Sequence, residues 1–410
     1  MDMTETNYLL IGGGLSSIQA AKTIRERDPH GRILLVGEEP HRPYDRPPLS
    51  KEFLRGEKSK EALFFEPESY FQDRRLELRL GRAVSQFDPS RKRAALTGGE
   101  TISFEKALLA TGGRPIRFNG PGADLPGVHY LRTLDDSLQI AAASGPGRHA
   151  VVIGAGFIGM ELAASLCQRG TRVTVLERQS RIWSRFVEPT LSAFFQSYFT
   201  AKGVRFLTNE EVGEIRGPGR VRSVLTRSGV QLPCDLVCVG IGIQPNVELA
   251  ERGGLSVDDG VAVNEYLQSS DPDVYAAGDL ANYIDPIFGK RRRVEHWGQA
   301  EYTGQLAGRN MVGEKSPYDL LTYVWSDLFD LHLEFAGDES EHDEMLVRGK
   351  IEEHSFILLY LKQQVLRAYF AVNTDSKEYP VFQRLIRKKQ NIAGKEGALS
   401  DPSYNVRALL

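Results

Sequence analysis

Two glycine-rich segments have the residue types and spacing to hold a dinucleotide pyrophosphate. They are Ile11-Gly12-Gly13-Gly14-Leu15-Ser16-Ser17 and Ile153-Gly154-Ala155-Gly156-Phe157-Ile158-Gly159. Glycines let the backbone pass close to a pyrophosphate, and a helix N-terminus supplies N–H donors and a partial positive charge. Each segment follows a short apolar run, Tyr8-Leu9-Leu10-Ile11 or Ala150-Val151-Val152-Ile153, and opens a helical stretch. One such loop is a weak signal. Two in strand–loop–helix settings imply two dinucleotides, and so a flavin that exchanges electrons with a nicotinamide. The third small position of the first loop is Ser17, which still permits close packing of helix on strand.

The next strand of each unit ends in an acid. Ile33-Leu34-Leu35-Val36 runs into Gly37-Glu38-Glu39, and Val173-Thr174-Val175-Leu176 runs into Glu177. Glu38 and Glu177 are expected to accept hydrogen bonds from adenosine riboses. A carboxylate there repels a 2′-phosphate, so NADH is favoured over NADPH, with Arg178 and Arg181 close enough to soften the preference. The cysteines are Cys167, Cys234 and Cys238, with no Cys-x-x-Cys. Cys234 and Cys238 flank a strand-like run, roughly 13 Å apart in extended chain, too far for a disulfide. A dithiol relay is excluded.

These elements imply an α/β fold with two Rossmann-like dinucleotide-binding domains. The apolar run Lys106-Ala107-Leu108-Leu109-Ala110 breaks into Thr111-Gly112-Gly113-Arg114-Pro115, and Asp235–Pro245 has the same form. Both look like sheet edges where the chain leaves one domain for another. Ser270–Asp279 reads as the chain returning to complete the first domain. The last stretch changes to strand-like runs such as Phe356–Leu361 and Leu366–Val372, followed by a basic helix. The expected division is an FAD-binding domain of residues 1–113 and 246–316, an NAD-binding domain of 114–245, and a C-terminal α+β domain of 317–410.

The chain has 410 residues, 41% hydrophobic and 26% charged, with a net charge of −3. That balance argues against nucleic-acid binding. No apolar run reaches the roughly 18–20 residues of a membrane span. Its start is polar and acidic rather than basic and apolar, so a cytoplasmic protein is expected. Basic residues gather at Lys290-Arg291-Arg292-Arg293 and at Arg384, Arg387, Lys388 and Lys389. A basic rim of this kind would steer an acidic electron carrier.

Arg42-Pro43-Tyr44-Asp45-Arg46-Pro47-Pro48-Leu49-Ser50-Lys51 follows the first unit. Together with Ala110-Thr111-Gly112, Gly159-Met160-Glu161-Leu162-Ala163, Tyr275-Ala276-Ala277-Gly278-Asp279 and Trp325-Ser326-Asp327, it resembles the oxygenase-coupled NADH-dependent ferredoxin reductases. The resemblance covers nearly the whole chain and extends to apoptosis-inducing factor. It implies a glutathione reductase-like fold plus the C-terminal domain. It implies that FAD is held by Gly12, Gly14, Leu15, Ser16, Glu38, Arg46, Lys51, Ala110, Thr111, Gly112, Arg132, Gly278, Asp279, Glu295, His296, Trp297 and Trp325. NADH would be held by Gly154, Gly156, Phe157, Ile158, Glu161, Glu177 and Gly242. Lys51, Glu161 and Trp297 would act at the reacting rings, with Lys51 beside the flavin and paired to Glu161. No metal is expected. The implied acceptor is a two-iron two-sulfur ferredoxin that serves a monooxygenase or dioxygenase, and the implied state is a monomer or weak homodimer. Rival readings are an NADH-sensing flavoprotein similar to apoptosis-inducing factor, which His296 favours, and an NADH oxidase or rubredoxin reductase. Trp297 and Trp325-Ser326-Asp327 favour the reductase.

Overall fold

The computed structural model describes residues 3–184 and 188–410. After the exposed Met3 the strand Met3–Ile11 runs through polar residues and ends on the buried Leu9, Leu10 and Ile11. It lies parallel between Ile33–Gly37 and Thr101–Leu109, with Ile11 opposite both Val36 and Leu109. Leu76–Leu80 extends this sheet beyond Ile33–Gly37. Val274–Ala276 joins its other side, pairing in parallel with Ala107–Leu109. The chain therefore does return to the first sheet after a long excursion.

The helix Leu15–Arg27 buries mostly small residues, among them Ser16, Ser17, Ala20 and Ala21. That smooth face lets the helix Trp297–Met311 lie directly against it. A Cβ on Gly304 would fall 2.4 Å from the Ser16 carbonyl oxygen, and one on Gly308 would fall 2.9 Å from that of Ala20.

The excursion forms a second parallel sheet in the order Arg205–Thr208, Arg172–Glu177, His149–Ile153, Leu236–Val239, Val128–Tyr130. The helix Phe157–Gln168 sits close on it. A Cβ on Gly159 would meet the Gly154 carbonyl oxygen at 2.0 Å, the physical reason for a third glycine there. An antiparallel meander of Val212–Arg216, Ser223–Thr226 and Gln231–Pro233 shares the core with Val151, Ile153, Val237 and Val239. The outgoing and returning crossings run side by side, Gly113–Pro115 pairing antiparallel with Ile243–Pro245.

The C-terminal sheet is antiparallel in the order Tyr323–Leu328, Leu331–Gly337, Val365–Val372, Ser355–Lys362, Glu344–Lys350. The helix Tyr379–Lys388 covers one face with Tyr379, Val381, Phe382, Leu385 and Ile386. The other face meets the helix Pro189–Ala201 through an aromatic seam. Phe194 packs on Phe356 at 5.3 Å between ring centroids, and Phe195 packs on Phe370 at 6.0 Å. Among the described residues no helix is long and apolar enough to cross a membrane, and no cluster of side chains could hold a metal ion.

Candidate functional site

The first glycine loop turns on Gly12, whose φ is +126°. A Cβ at that position would lie 2.1 Å from the Ala110 carbonyl oxygen, so the loop rests directly on the Ala110-Thr111 backbone. Gly14 caps the helix Leu15–Arg27, and nothing lies within 4 Å of where its Cβ would be. The open side faces a cavity of about 1630 Å³. Every residue expected to hold the flavin lines this cavity, Glu38, Trp297 and Trp325 among them. That volume exceeds the roughly 300–1,000 Å³ of a common small-molecule site, as a long dinucleotide requires.

The second set divides. Phe157, Ile158 and Glu161, in the first turns of the helix Phe157–Gln168, line the same cavity. Gly154, Gly156, Glu177 and Gly242 stand outside it, around the second loop. Gly154 has φ +95°, and its Cβ would meet the Gly240 carbonyl oxygen at 2.5 Å. Gly242 also has positive φ, at +125°. Glu177 reaches back to this loop: Oε2 accepts from the Ala155 N–H at 2.9 Å, and Oε1 accepts from the Gln179 N–H at 2.9 Å.

Where the two sets meet lies a buried ion pair. Lys51 Nζ is 2.6 Å from Glu161 Oε1, and both side chains are almost wholly removed from solvent. Burying two charges is costly unless further hydrogen bonds complete them. Two hydroxyls supply part of that completion here. Ser50 Oγ donates to Glu161 Oε2 at 2.5 Å, and Ser326 Oγ donates to Oε1 at 2.6 Å. Lys51 Nζ also stands 5.9 Å from the centre of the Trp325 ring.

A second polar group braces the middle of the cavity. Arg46 donates to Glu39 Oε1 at 2.6 Å and to the Arg132 carbonyl at 2.5 Å. Tyr44 donates to Glu39 Oε2 at 2.5 Å. Arg132 in turn donates to Asp279 at 3.0 Å. Glu38 is exposed on the cavity rim, so the neighbouring acid Glu39 is the one that fixes Arg46. Glu295 pairs with Arg293 at 2.6 Å, yet burial still raises its carboxyl above the usual range.

Two family profiles match the chain in tandem, the pyridine nucleotide-disulphide oxidoreductase family over residues 6–304 and the reductase C-terminal family over residues 323–410. Rhodocoxin reductase of Rhodococcus erythropolis is 37% identical over 398 residues, which is 96% of this chain and 92% of that protein. The chain belongs to the ferredoxin reductase family. Membership implies a flavin site and a pyridine-nucleotide site. The crystal structure of the ferredoxin reductase for the CYP199A2 system from Rhodopseudomonas palustris matches with a TM-score of 0.93 at 33% identity, covering 98% of this chain and 99% of that one. The covalent putidaredoxin reductase–putidaredoxin complex contains a chain that matches with a TM-score of 0.93 at 30% identity, covering 98% of each.

The wider family is named for disulphides, and the cysteines of this member form none among the described residues. Cys167, Cys234 and Cys238 are free. Burial pushes the Cys234 and Cys238 thiols up to about 12, so neither is a ready nucleophile.

His296 caps the helix Trp297–Met311. Burial lowers its ring to about 4, so it is neutral at pH 7 and unfit as a proton donor there. Backbone N–H groups approach both of its nitrogens, Gly298 at 3.3 Å from Nδ1 and Trp325 at 3.2 Å from Nε2. A neutral imidazole accepts at one nitrogen only.

The residues that sequence reasoning left without a role are Asp45, Ser50, Ser326 and Glu39, together with Phe335 and Phe370 on the cavity wall. The first three stand inside recognised segments next to residues that were assigned. Phe335 and Phe370 carry no local signal, because their side of the C-terminal sheet is set by tertiary packing. The run Lys290–Arg293 is not a free basic rim. Lys290 pairs with Asp338 at 2.6 Å, Arg292 with Asp285 at 3.2 Å, and Arg293 with Asp259 as well as Glu295. Arg291 donates to the carbonyls of Val263 and Asn282. Arg384, Arg387, Lys388 and Lys389 are exposed at the end of the last long helix.

Proposed function

We propose that the protein is an NADH-dependent ferredoxin reductase that holds FAD in the large cavity and passes electrons to a two-iron two-sulfur ferredoxin serving a monooxygenase or dioxygenase. The observation that carries this reading is that Phe157, Ile158 and Glu161, just after the second glycine loop, line the same cavity as every residue proposed for the flavin. A nicotinamide anchored by the second loop would therefore arrive against the flavin ring.

On this reading a flavin domain of residues 1–113 and 246–316 and a nicotinamide domain of 114–245 are closed by the domain of 317–410. Bound FAD supplies the conversion of a two-electron donor into a one-electron donor. The chain supplies position and charge. Gly12 and Gly14 admit one pyrophosphate, and Gly154 and Gly156 admit the other, each at a helix N-terminus. Glu38 and Glu177 offer acceptors to the riboses. Arg46, Arg132 and Asp279 fix the middle of the flavin chain. Lys51 places a cation where negative charge develops, and Glu161 offsets it while the site is empty of that charge. Trp297 and Trp325 wall off water. No residue is required as a general acid, in line with the neutral state of His296.

NADH-driven cytochrome c reduction by the FAD-loaded protein, with and without an added two-iron ferredoxin, tests the reading. A large ferredoxin-dependent stimulation is expected. No stimulation across several ferredoxins, with slow reoxidation of an NADH-treated flavin, would replace this reading with the sensor-like one.

A further inference from the structure

The acceptor positions of Glu161 can be counted. A carboxylate offers about two acceptor positions on each oxygen. Oε1 receives Lys51 Nζ and Ser326 Oγ, each at 2.6 Å, and is full. Oε2 receives Ser50 Oγ at 2.5 Å and, among the described residues, keeps one position open. The group is sealed from bulk water: Ser326 is 2% exposed, Ser50 3%, Lys51 4% and Glu161 7%. Ser50, Lys51 and Glu161 form part of the cavity wall, whereas Ser326 reaches the carboxylate from the strand Tyr323–Leu328 behind it. The two hydroxyls hold opposite oxygens and so stop rotation of the carboxylate plane. A half-satisfied buried acceptor is expensive unless a ligand donor completes it.

Building on the reading of NADH as the donor, we propose that Ser326 is a positioning residue for nicotinamide recognition: with Ser50 it fixes the Glu161 carboxylate so that the open position on Oε2 accepts an N–H of the nicotinamide carboxamide. The third domain thereby takes part in choosing the electron donor. A nicotinamide analogue with a methyl ketone in place of the amide has the same shape and no N–H. A site built around that hydrogen bond rejects such an analogue, because the acceptor is left buried and unpaired.

The test is calorimetric titration of the FAD-loaded protein with NAD⁺ and with 3-acetylpyridine adenine dinucleotide, a readout of binding and not of turnover. The unaltered protein is expected to bind NAD⁺ at least ~10-fold more tightly than the analogue, the worth of one hydrogen bond to a charged group. In Ser326→Ala the preference is expected to shrink at least ~3-fold, and in Ser326→Thr, which keeps the hydroxyl, to survive. FAD content and melting temperature report that each variant is folded. Glu161→Gln, whose one amide oxygen is drawn to Lys51 and Ser326 so that its NH2 takes the place of Oε2, serves if Ser326→Ala loses FAD, and it too is expected to lose the preference. A preference unchanged or larger in Ser326→Ala, a loss in Ser326→Thr equal to that in Ser326→Ala, or a preference retained in Glu161→Gln overturns the proposal. Equal binding of both dinucleotides by the unaltered protein overturns this inference and leaves the reductase reading standing. Binding of neither overturns both.

Discussion

Trp297 donates from its indole nitrogen to Asp45 Oδ1 at 2.8 Å. The bond joins the segment that carries Arg46 and Lys51 to the start of the helix Trp297–Met311. Burial raises the Asp45 carboxyl above its ordinary range, and the Trp297 N–H opposes that rise. A half-buried carboxylate that spends its hydrogen bond on one indole fixes the plane of that indole, so Asp45 acts through Trp297. Asp45→Ala is expected to slow flavin reduction by NADH roughly 3- to 10-fold, about 0.7–1.4 kcal/mol and so a part of the ~1.5–3 kcal/mol of a charge-assisted hydrogen bond. Asp45→Asn, which still accepts, is expected to recover most of the rate. In a Trp297→Phe background the Asp45→Ala effect should vanish, and stopped-flow absorbance of the four proteins would show whether the two residues are coupled. His296 carries a separate prediction, in pH. Its folded value, about 4, lies below that of an unfolded histidine, so the stability it contributes is complete above about pH 6.5 and is lost as pH falls toward 4. His296→Asn keeps a good helix cap without the titration. Its stability is expected to fall less than the unaltered protein's between pH 6.5 and 4, by up to about 3 kcal/mol, as urea titrations at each pH would measure.

At the scale of elements, the two glycine loops do the same job with different third residues. Gly159 is forced by the close approach of its helix to Gly154. The equivalent place in the first loop is Ser17, fully buried, with no hydrogen-bond partner for its Oγ among the described residues. A serine does fit, and the helix packs; the cost is an unpaired hydroxyl. Ser17→Ala is therefore expected to stabilise the protein by about 1–2 kcal/mol, with FAD retained, which thermal and urea denaturation would reveal. This loop also shows what the sequence makes legible. A strand–glycine–helix unit is local, its apolar run, glycines and acidic strand end lying within one short stretch, so both units and the residues around their loops could be read directly. The return of Val274–Ala276 to the first sheet was readable because Ala276-Ala277-Gly278-Asp279 follows an apolar strand end. The meander Val212–Pro233 was not, for its strands are short and alternate with charged residues. Likewise, Ser50 and Ser326 were in view as letters of motifs, but only the fold shows that both hydroxyls converge on Glu161.

For the whole molecule, the ion pair Lys51–Glu161 is where the three parts of the chain lock together. Lys51 and Ser50 come from the part built on the first glycine loop, Glu161 from the second, and Ser326 from the C-terminal sheet. The aromatic seam of Phe194, Phe195, Phe356 and Phe370 already binds the second and third parts through apolar contact. The buried pair therefore need not supply stability, and a buried pair seldom exceeds an apolar replacement of similar volume. Its expected contribution is to place two opposite charges beside the reacting rings. Stability and chemistry can then be separated. Glu161→Leu alone leaves the Lys51 ammonium buried without a counter-charge and is expected to cost about 3–5 kcal/mol. Lys51→Met alone leaves the carboxylate stranded and is expected to cost a similar amount. Lys51→Met with Glu161→Leu removes both charges, and most of that loss should be recovered even though the Ser50 and Ser326 hydroxyls lose their acceptor. The rate of flavin reduction by NADH should remain low in all three variants. Urea denaturation beside stopped-flow reduction gives both quantities for each protein. A double variant as unstable as the worse single one would mean that the pair holds the three parts together, and a double variant with an undiminished reduction rate would remove Lys51 and Glu161 from the chemistry.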